Sequence, residues 1–218
     1  MPFITSGKRR SGRLLGGLVG LALLALAPAA QADTTSLAAA VNPMRCVPEP
    51  ALTQPFTQWD DFAHYTLAPG GDFEDGRSGW LLLGGARVVD GNEPFQVGGP
   101  EDRSSLSLPG SSTAISAPIC IDDTYPTFRF FARNTGNLRS TLKVDVLYLT
   151  AAGRLSVRAS GEYTAPSSDW APPRAMNIDL TIDPSSHAGA APVAFRFTPG
   201  GGGNWQIDDV YVDPMARG

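Results

Sequence analysis

From Pro69 to Asp213 the chain consists of short runs that alternate apolar and polar residues, each broken by Gly, Pro, Asn, Asp or Ser. Successive side chains on a strand point to opposite faces, so such a run buries one face and leaves the other polar. Frequent breaks leave no room for a helical period. Leu142-Lys-Val-Asp-Val-Leu-Tyr-Leu149 is the clearest case, with Leu142, Val144, Val146 and Tyr148 on one face. Thr127 to Arg133 puts Phe128 and Phe130 together, and Ser104 to Leu108 does the same for Leu106 and Leu108. Leu155 to Ser160 follows the Ala151-Ala-Gly153 turn as a hairpin partner. Gly79–Leu83, Ala86–Val89, Ala114–Ile121, Ala175–Ile182, Val193–Phe197 and Gln206–Val212 complete the strand set. The 24 Gly and 19 Pro supply the turns such a chain needs. About nine or ten short strands in one domain predict an all-β, two-sheet antiparallel sandwich with Greek-key connections, a jelly roll.

The first 32 residues read as a signal peptide rather than as part of this fold. Lys8, Arg9, Arg10 and Arg13 precede an apolar stretch from Leu14 to Leu26, and Ala30-Gln-Ala32 is a small-x-small cleavage site. This signal helix is about a dozen apolar residues long, short for a bilayer span. The expectation is a secreted, extracellular protein, free of the membrane after cleavage. The formal charge of −4 becomes −8 without the four basic groups of that segment. An acidic chain lacks the Lys and Arg that neutralise phosphates, which argues against nucleic acid as a partner. Residues 33–68, rich in Pro, read as an irregular N-terminal arm, and residues 69–214 as the β-sandwich domain. Phe56, Trp59, Phe62 and Tyr65, three apart, fit one helical turn, which is read as cover for the end of a sheet, with an exposed binding stripe as the alternative. Two cysteines, Cys46 and Cys120, in an oxidising compartment predict one disulfide tying the arm to the body.

The acids raise the functional question. Trp205-Gln-Ile-Asp-Asp-Val-Tyr-Val-Asp213 alternates like a strand yet carries adjacent carboxylates, so at least one of Asp208 and Asp209 points inward or along a sheet edge. An inward carboxylate is costly unless paired, hydrogen-bonded or bound to metal. The acidic turn Gly71-Asp-Phe-Glu-Asp-Gly76 meets these acids if the first and last strands pair. The alternative is that Asp208 and Asp209 pair with Arg196 or cap loop amides. For hydrolysis, His64 and His187 are the two histidines, and no Gly-x-Ser-x-Gly elbow accompanies them.

The Gly-Asp-Phe-Glu opening at Gly71 with Trp80 downstream, the Ser-Leu-x-Leu segment ending at Leu108, and the closing Ile207-Asp-Asp-Val210 resemble galactose-binding-like jelly rolls. The nearest in style are carbohydrate-binding modules of the family 4, 9 and 22 type. Arg129-Phe-Phe-Ala132, Gly91-Asn-Glu-Pro94 and Phe195-Arg-Phe-Thr-Pro199 also resemble uncharacterised secreted actinobacterial proteins. The first resemblance implies a structural calcium held by Asp72, Glu74, Asp102 and Asp208 or Asp209, and calcium takes six to eight oxygens. It also implies glycan binding on aromatic platforms with polar neighbours. The candidates are Trp170, Tyr163, Tyr148, Trp80 and Phe95, with Arg129, Arg133, Asp145 and Arg196 beside them.

Three functions follow from this reading. The first is a secreted non-catalytic binding module for polysaccharide with a structural calcium. The second is a structural or protein-interaction domain that engages a cell-surface protein and has no sugar site. The third, a hydrolase, is the least supported.

Overall fold

The computed structural model describes residues 2, 51–77, 79–122, 127–150, 152–178 and 190–213. The expected signal peptide, Cys46, His187 and the far end of the expected Ala175–Ile182 strand lie outside these residues. Among the described residues a 3-10 turn, Thr57–Trp59, is followed by twelve strands: β1 (Thr66–Leu67), β2 (Leu81–Leu83), β3 (Arg87–Asp90), β4 (Ser104–Leu108), β5 (Thr113–Ile115), β6 (Ile119–Asp122), β7 (Thr127–Asn134), β8 (Leu142–Leu149), β9 (Leu155–Tyr163), β10 (Met176–Asn177), β11 (Ala190–Pro199) and β12 (Trp205–Asp213). They form two antiparallel sheets. The first runs β10-β7-β12-β4-β3, with β1 pairing β12 beyond the end of β4. The second runs β2-β5-β11-β8-β9, with β6 also on β11. An all-β two-sheet sandwich is therefore the architecture. No helix among the described residues is long and apolar enough to cross a membrane.

The inward faces follow the strand period. Leu142, Val144, Val146 and Tyr148 of β8 meet Phe128 and Phe130 of β7 and Phe195 and Phe197 of β11 in the core between the sheets. Phe128 stacks on Phe195 at 4.4 Å, and Trp80 stacks on Phe197 at 5.9 Å. The expected hairpin is present as β8 and β9, paired from Leu142↔Tyr163 to Leu149↔Leu155. The Gly84-Gly85 break does more than bend one strand, because β2 and β3 lie in different sheets. Both glycines have positive φ, and a Cβ on Gly84 would meet the Ser111 carbonyl oxygen at 2.5 Å. The expected Ala114–Ile121 strand is two, β5 and β6, separated by Ser116-Ala-Pro118 and both paired with β11.

The segment from Ala51 to Ala68 is woven into the first sheet. Thr53 bridges Tyr65, and β1 pairs Thr66↔Val212 and Leu67↔Tyr211. Phe56 and Tyr65 are fully buried against Phe131, Trp170 and Tyr211, so this segment covers the outer face of the first sheet. Phe62 alone of the spaced aromatics stays out, at 65% exposure.

Truncating a fully buried ring in this core removes its transfer free energy and leaves a cavity. Phe195→Ala is expected to lower unfolding free energy by about 3–5 kcal/mol in urea melts. A loss of under about 1 kcal/mol would mean that the Phe128–Phe195 stack does not hold the sheets together.

Candidate functional site

The last strand carries the main irregularity. On β12, Trp205 to Asp208 pair with Asn134 to Phe131 of β7, then the register slips before Tyr211↔Arg129. The extra residue makes a β-bulge, and Asp209 there has φ of 50°, the left-handed region usually left to glycine. The bulge lies where β12 passes from one neighbour, β4, to the other, β1. The Asp-Phe-Glu turn arrives at the same point. The Val210 amide donates to the Gly71 carbonyl at 3.1 Å, and the Ala68 amide donates to the Val210 carbonyl at 2.8 Å. A Cβ on Gly71 would sit 2.9 Å from the Val210 oxygen, so glycine is required by close approach.

The two adjacent aspartates have separate jobs. Asp208, on the outer face, accepts from the Glu93 amide at 3.2 Å and from the Asp209 amide at 2.9 Å. It ties the β3–β4 loop to the last strand, which is the amide-capping alternative. Asp209 is fully buried, and neither of its carboxylate oxygens has a hydrogen-bond partner. Asp102, 8% exposed, has no well-formed hydrogen bond at either oxygen, though the Asn92 and Glu74 side chains lie near enough to act on it. One oxygen each of Glu93, Asp102 and Asp209 falls within 4.8 Å of the others. Glu93, also fully buried, accepts the Val97 amide at 2.6 Å and the Phe95 amide, leaving lone pairs free. Among the described residues no Lys or Arg forms an ion pair with this group. Arg196 is instead on the second sheet, with Nη2 2.6 Å from Asp145.

Burial, followed by the charges of Asp102, Glu93, Asp72 and Glu74, pushes Asp209 up to about 8. Burial and then the Asp209 and Asp102 charges push Asp208 to about 10. Asp102 rises to about 6, first through burial and also through Glu74, against a lowering by Asn92. Converging oxygen donors, those of Asp209 wholly unpartnered, fit a hard divalent cation. The buried Glu93, Asp102 and Asp209 group can hold a metal.

Of the metal ligands expected from sequence, Asp102 and Asp209 are brought together. Asp72 and Glu74 act on Asp209 electrostatically from the adjoining turn. Glu74 uses Oε1 to accept the Arg103 and Ser104 amides at 2.8 and 2.6 Å, holding the start of β4. Glu93 was missed. It sits in the Asp90-Gly-Asn-Glu-Pro94 loop, whose acid was the only available signal.

The aromatic candidates divide between two places. Trp80 and Tyr148 are buried in the core between the sheets, where Trp80 Nε1 donates to the Pro69 carbonyl at 3.1 Å. Tyr163, half-buried, lies 5.7 Å from the core ring of Trp205. Trp170 and Arg129 lie on the outer face of the first sheet. Trp170 is 9% exposed, with the Arg133 guanidinium 5.1 Å from its ring centroid. Arg129 stacks 4.3 Å over Phe56 and pairs with Asp61 at 2.8 Å. Asp61 is pushed up by burial, but the Tyr65 hydroxyl, the Ala63 amide and Arg129 together bring it below its ordinary value. Beside this pair opens a cleft of about 520 Å³ lined by Trp59, Asp60, Asp61, Phe62, Arg129 and Arg174. His64 is exposed and makes no ion pair or hydrogen bond with an acid among the described residues. Cys120 sits on β6 opposite Pro192; its expected partner, Cys46, lies outside the described residues.

The sandwich is similar to solved carbohydrate-binding modules. A xylan-binding domain from CBM 22 matches with TM-score 0.46 at 16% identity, over 67% of this chain and 93% of that one. The CBM22-2 xylan-binding domain from Paenibacillus barcinonensis gives 0.46 at 14%, over 66% and 98%. A family 16 carbohydrate binding module gives 0.44 at 15%, over 67% and 99%. No residue assignment crosses at these identities. No family model and no curated protein matches the sequence.

The raised carboxyls fix the sign of a pH effect. With divalent metal chelated, folded Asp208 and Asp209 keep protons that the unfolded chain releases near its ordinary value of 3.8. Stability of the metal-free protein should therefore fall as pH rises from about 5 through about 9. Asp209→Asn should flatten that slope in chelator-treated thermal melts. Parallel slopes for the two proteins would show that Asp209 ionises freely in the fold.

Proposed function

We propose that this protein is an exported, non-catalytic glycan-binding module whose last strand is locked by a structural calcium ion. The observation that carries the reading is the meeting of Gly71, Asp102 and Glu93 at the Asp209 bulge. The opening and closing motifs that resemble carbohydrate modules lie far apart in sequence and join there through the Gly71 and Val210 backbones. Glu93, Asp102 and Asp209 would hold the ion, with Asp72 and Glu74 adding negative potential. The ion would supply the positive charge that these buried carboxylates lack and would tie β12 to the β3–β4 loop.

Burial favours a structural role for this ion. Glu93 and Asp209 are inaccessible to solvent, whereas a catalytic metal needs an open coordination position for water or substrate. The glycan part of the reading is supported by the cleft of about 520 Å³ on the outer face of the first sheet, where aromatic rings and charged groups share one depression. Proteins that hold sugars combine ring faces with a few fixed polar groups in this way. Residues 1–32 would direct export, and a Cys46–Cys120 bridge would form in the oxidising compartment that follows.

The test has two parts. Calcium near 100 times its dissociation constant should add about 2.7 kcal/mol. That shift raises the melting temperature of chelator-treated protein by about 5–10 °C. Asp102→Asn and Asp209→Asn should each remove most of the gain, while magnesium should give little. On a panel of immobilised plant and microbial polysaccharides, the calcium-loaded protein should retain a subset selectively. Folded protein that ignores the whole panel would overturn the glycan reading, and a melting temperature indifferent to calcium would overturn the metal reading.

A further inference from the structure

The cleft beside the Arg129–Asp61 pair is built from chemically unlike parts. Its wall carries Trp59, half-buried, and Phe62, the most exposed large hydrophobic residue among those described. Its floor is a buried ion pair: Arg129 Nε donates to the Pro173 carbonyl at 3.1 Å and Nη1 to Asp61 at 2.8 Å. Among the described residues Arg129 Nη2 has no protein partner, and it keeps contact with solvent on a side chain that lines the cleft. Trp59 Nε1 likewise has no partner among the described residues and keeps contact with solvent. At the rim stand Asp60 and Arg174, both exposed, neither with a side-chain hydrogen bond or ion pair among the described residues.

The charges here select the ligand. Arg129 and Asp61 neutralise one another, which leaves, among the described residues that line the cleft, Asp60 as the unpaired anion and Arg174 as the unpaired cation. An acidic ligand would meet repulsion from Asp60 and a basic one repulsion from Arg174, each modest because both groups are exposed to solvent. A neutral molecule rich in hydroxyls meets neither cost, since its O–H groups donate to a carboxylate and its oxygens accept from guanidinium and indole N–H. The rings require that the same molecule present a flat, apolar C–H face as well. A pyranose does both.

We infer that this cleft is the glycan site: Trp59 and Phe62 stack on a neutral pyranose, and Asp60, Arg174 and Arg129 Nη2 bind its hydroxyls. The inference rests on the glycan-binding reading and adds a location and a sugar class. It puts the site on the outer face of the first sheet, on residues supplied by the segment preceding β1. Phe62 is left exposed because its partner is the ligand.

The test uses the calcium-loaded full chain and three neutral probes that differ at C4 and C5, namely cellotetraose, xylohexaose and β-1,4-galactotriose. Each is titrated while the indole N–H resonances of the four tryptophans are followed by NMR. At least one probe should shift the Trp59 indole in a saturable way and leave that of core Trp205 in place. Phe62→Ala and Arg174→Ala alter exposed side chains, so folding should be preserved. Each should weaken that probe at least tenfold, as truncation of a stacking or charged anchor does. Three probes that leave Trp59 unmoved would overturn the inference, as would a probe that binds both variants as tightly as the parent. In the second case the protein still binds glycan and only the location is wrong. Failure on the polysaccharide panel removes the function itself.

Discussion

Three buried carboxylates within 4.8 Å of one another, with no basic residue among the described ones paired to them, are the constraint on which the rest of the structure depends. Two unit charges at that separation repel by about 3 kcal/mol even at an effective dielectric of about 20. Three such pairs amount to roughly the whole stability of a domain of this size. The group therefore cannot be fully ionised in the fold without a counter-charge, so it holds protons or a cation. Protons would leave the arrangement weakest at neutral and alkaline pH, where Asp209 titrates at about 8. A cation removes the repulsion and adds bonds. The unpartnered oxygens of Asp209, with those of Asp102 and the free lone pairs of Glu93, have the donor character a hard ion selects.

The same site explains why the last strand is irregular. A regular strand through Asp208 and Asp209 would send one inward among Phe and Val side chains and the other outward. The bulge instead gives Asp208 to the loop amides and turns Asp209 sideways, through a left-handed backbone, toward Asp102 and Glu93. Strain at a non-glycine residue in that region persists only when surroundings hold it. Here the Gly71 carbonyl and the Ala68 amide clamp Val210 from the β1 side.

This also marks the limit of what the sequence discloses. Inward faces were legible wherever the period of two ran unbroken, as in Leu142 to Tyr148 or Phe128 and Phe130. The meeting of the opening turn with the closing acids stood in the sequence only as a condition on the first and last strands pairing, and the Gly71–Val210 hydrogen bond supplies it. The separate roles of Asp208 and Asp209 were not legible, because a bulge breaks the period and Asp, unlike Gly, takes the left-handed conformation too seldom to mark it. Glu93 was hidden because a loop acid has no periodicity to show where it points. The aromatic candidates Trp80 and Tyr148 proved to be core side chains, and Tyr163 packs at the core's edge against Trp205. Trp59 and Phe62 looked like cover for a sheet, and only the packing separates buried Phe56 from exposed Phe62. Charge pairing is equally silent in sequence. Arg196 belongs with Asp145, a cross-strand neighbour 51 positions away, and not with the acids of β12.

The bulge ties the buried acids to the cleft. Ile207 faces the core, and an unbroken period would put Val210 and Val212 outside and Tyr211 inside. The extra residue inverts this parity: Val210 and Val212 are fully buried between the sheets, and Tyr211 joins the outer aromatic cluster with Phe56 and Phe131. Tyr211 is the register partner of Arg129, whose guanidinium forms the floor of the cleft. The outer face that receives the 51–65 segment therefore exists in its present form only while the bulge is held. A cation at Asp209 would stabilise that register without touching the cleft, and its loss would loosen the support beneath Phe56, Tyr65 and Arg129 before it reached the Phe-rich core. Metal and ligand would then be thermodynamically linked through the β7–β12 pair, each favouring the register that the other requires.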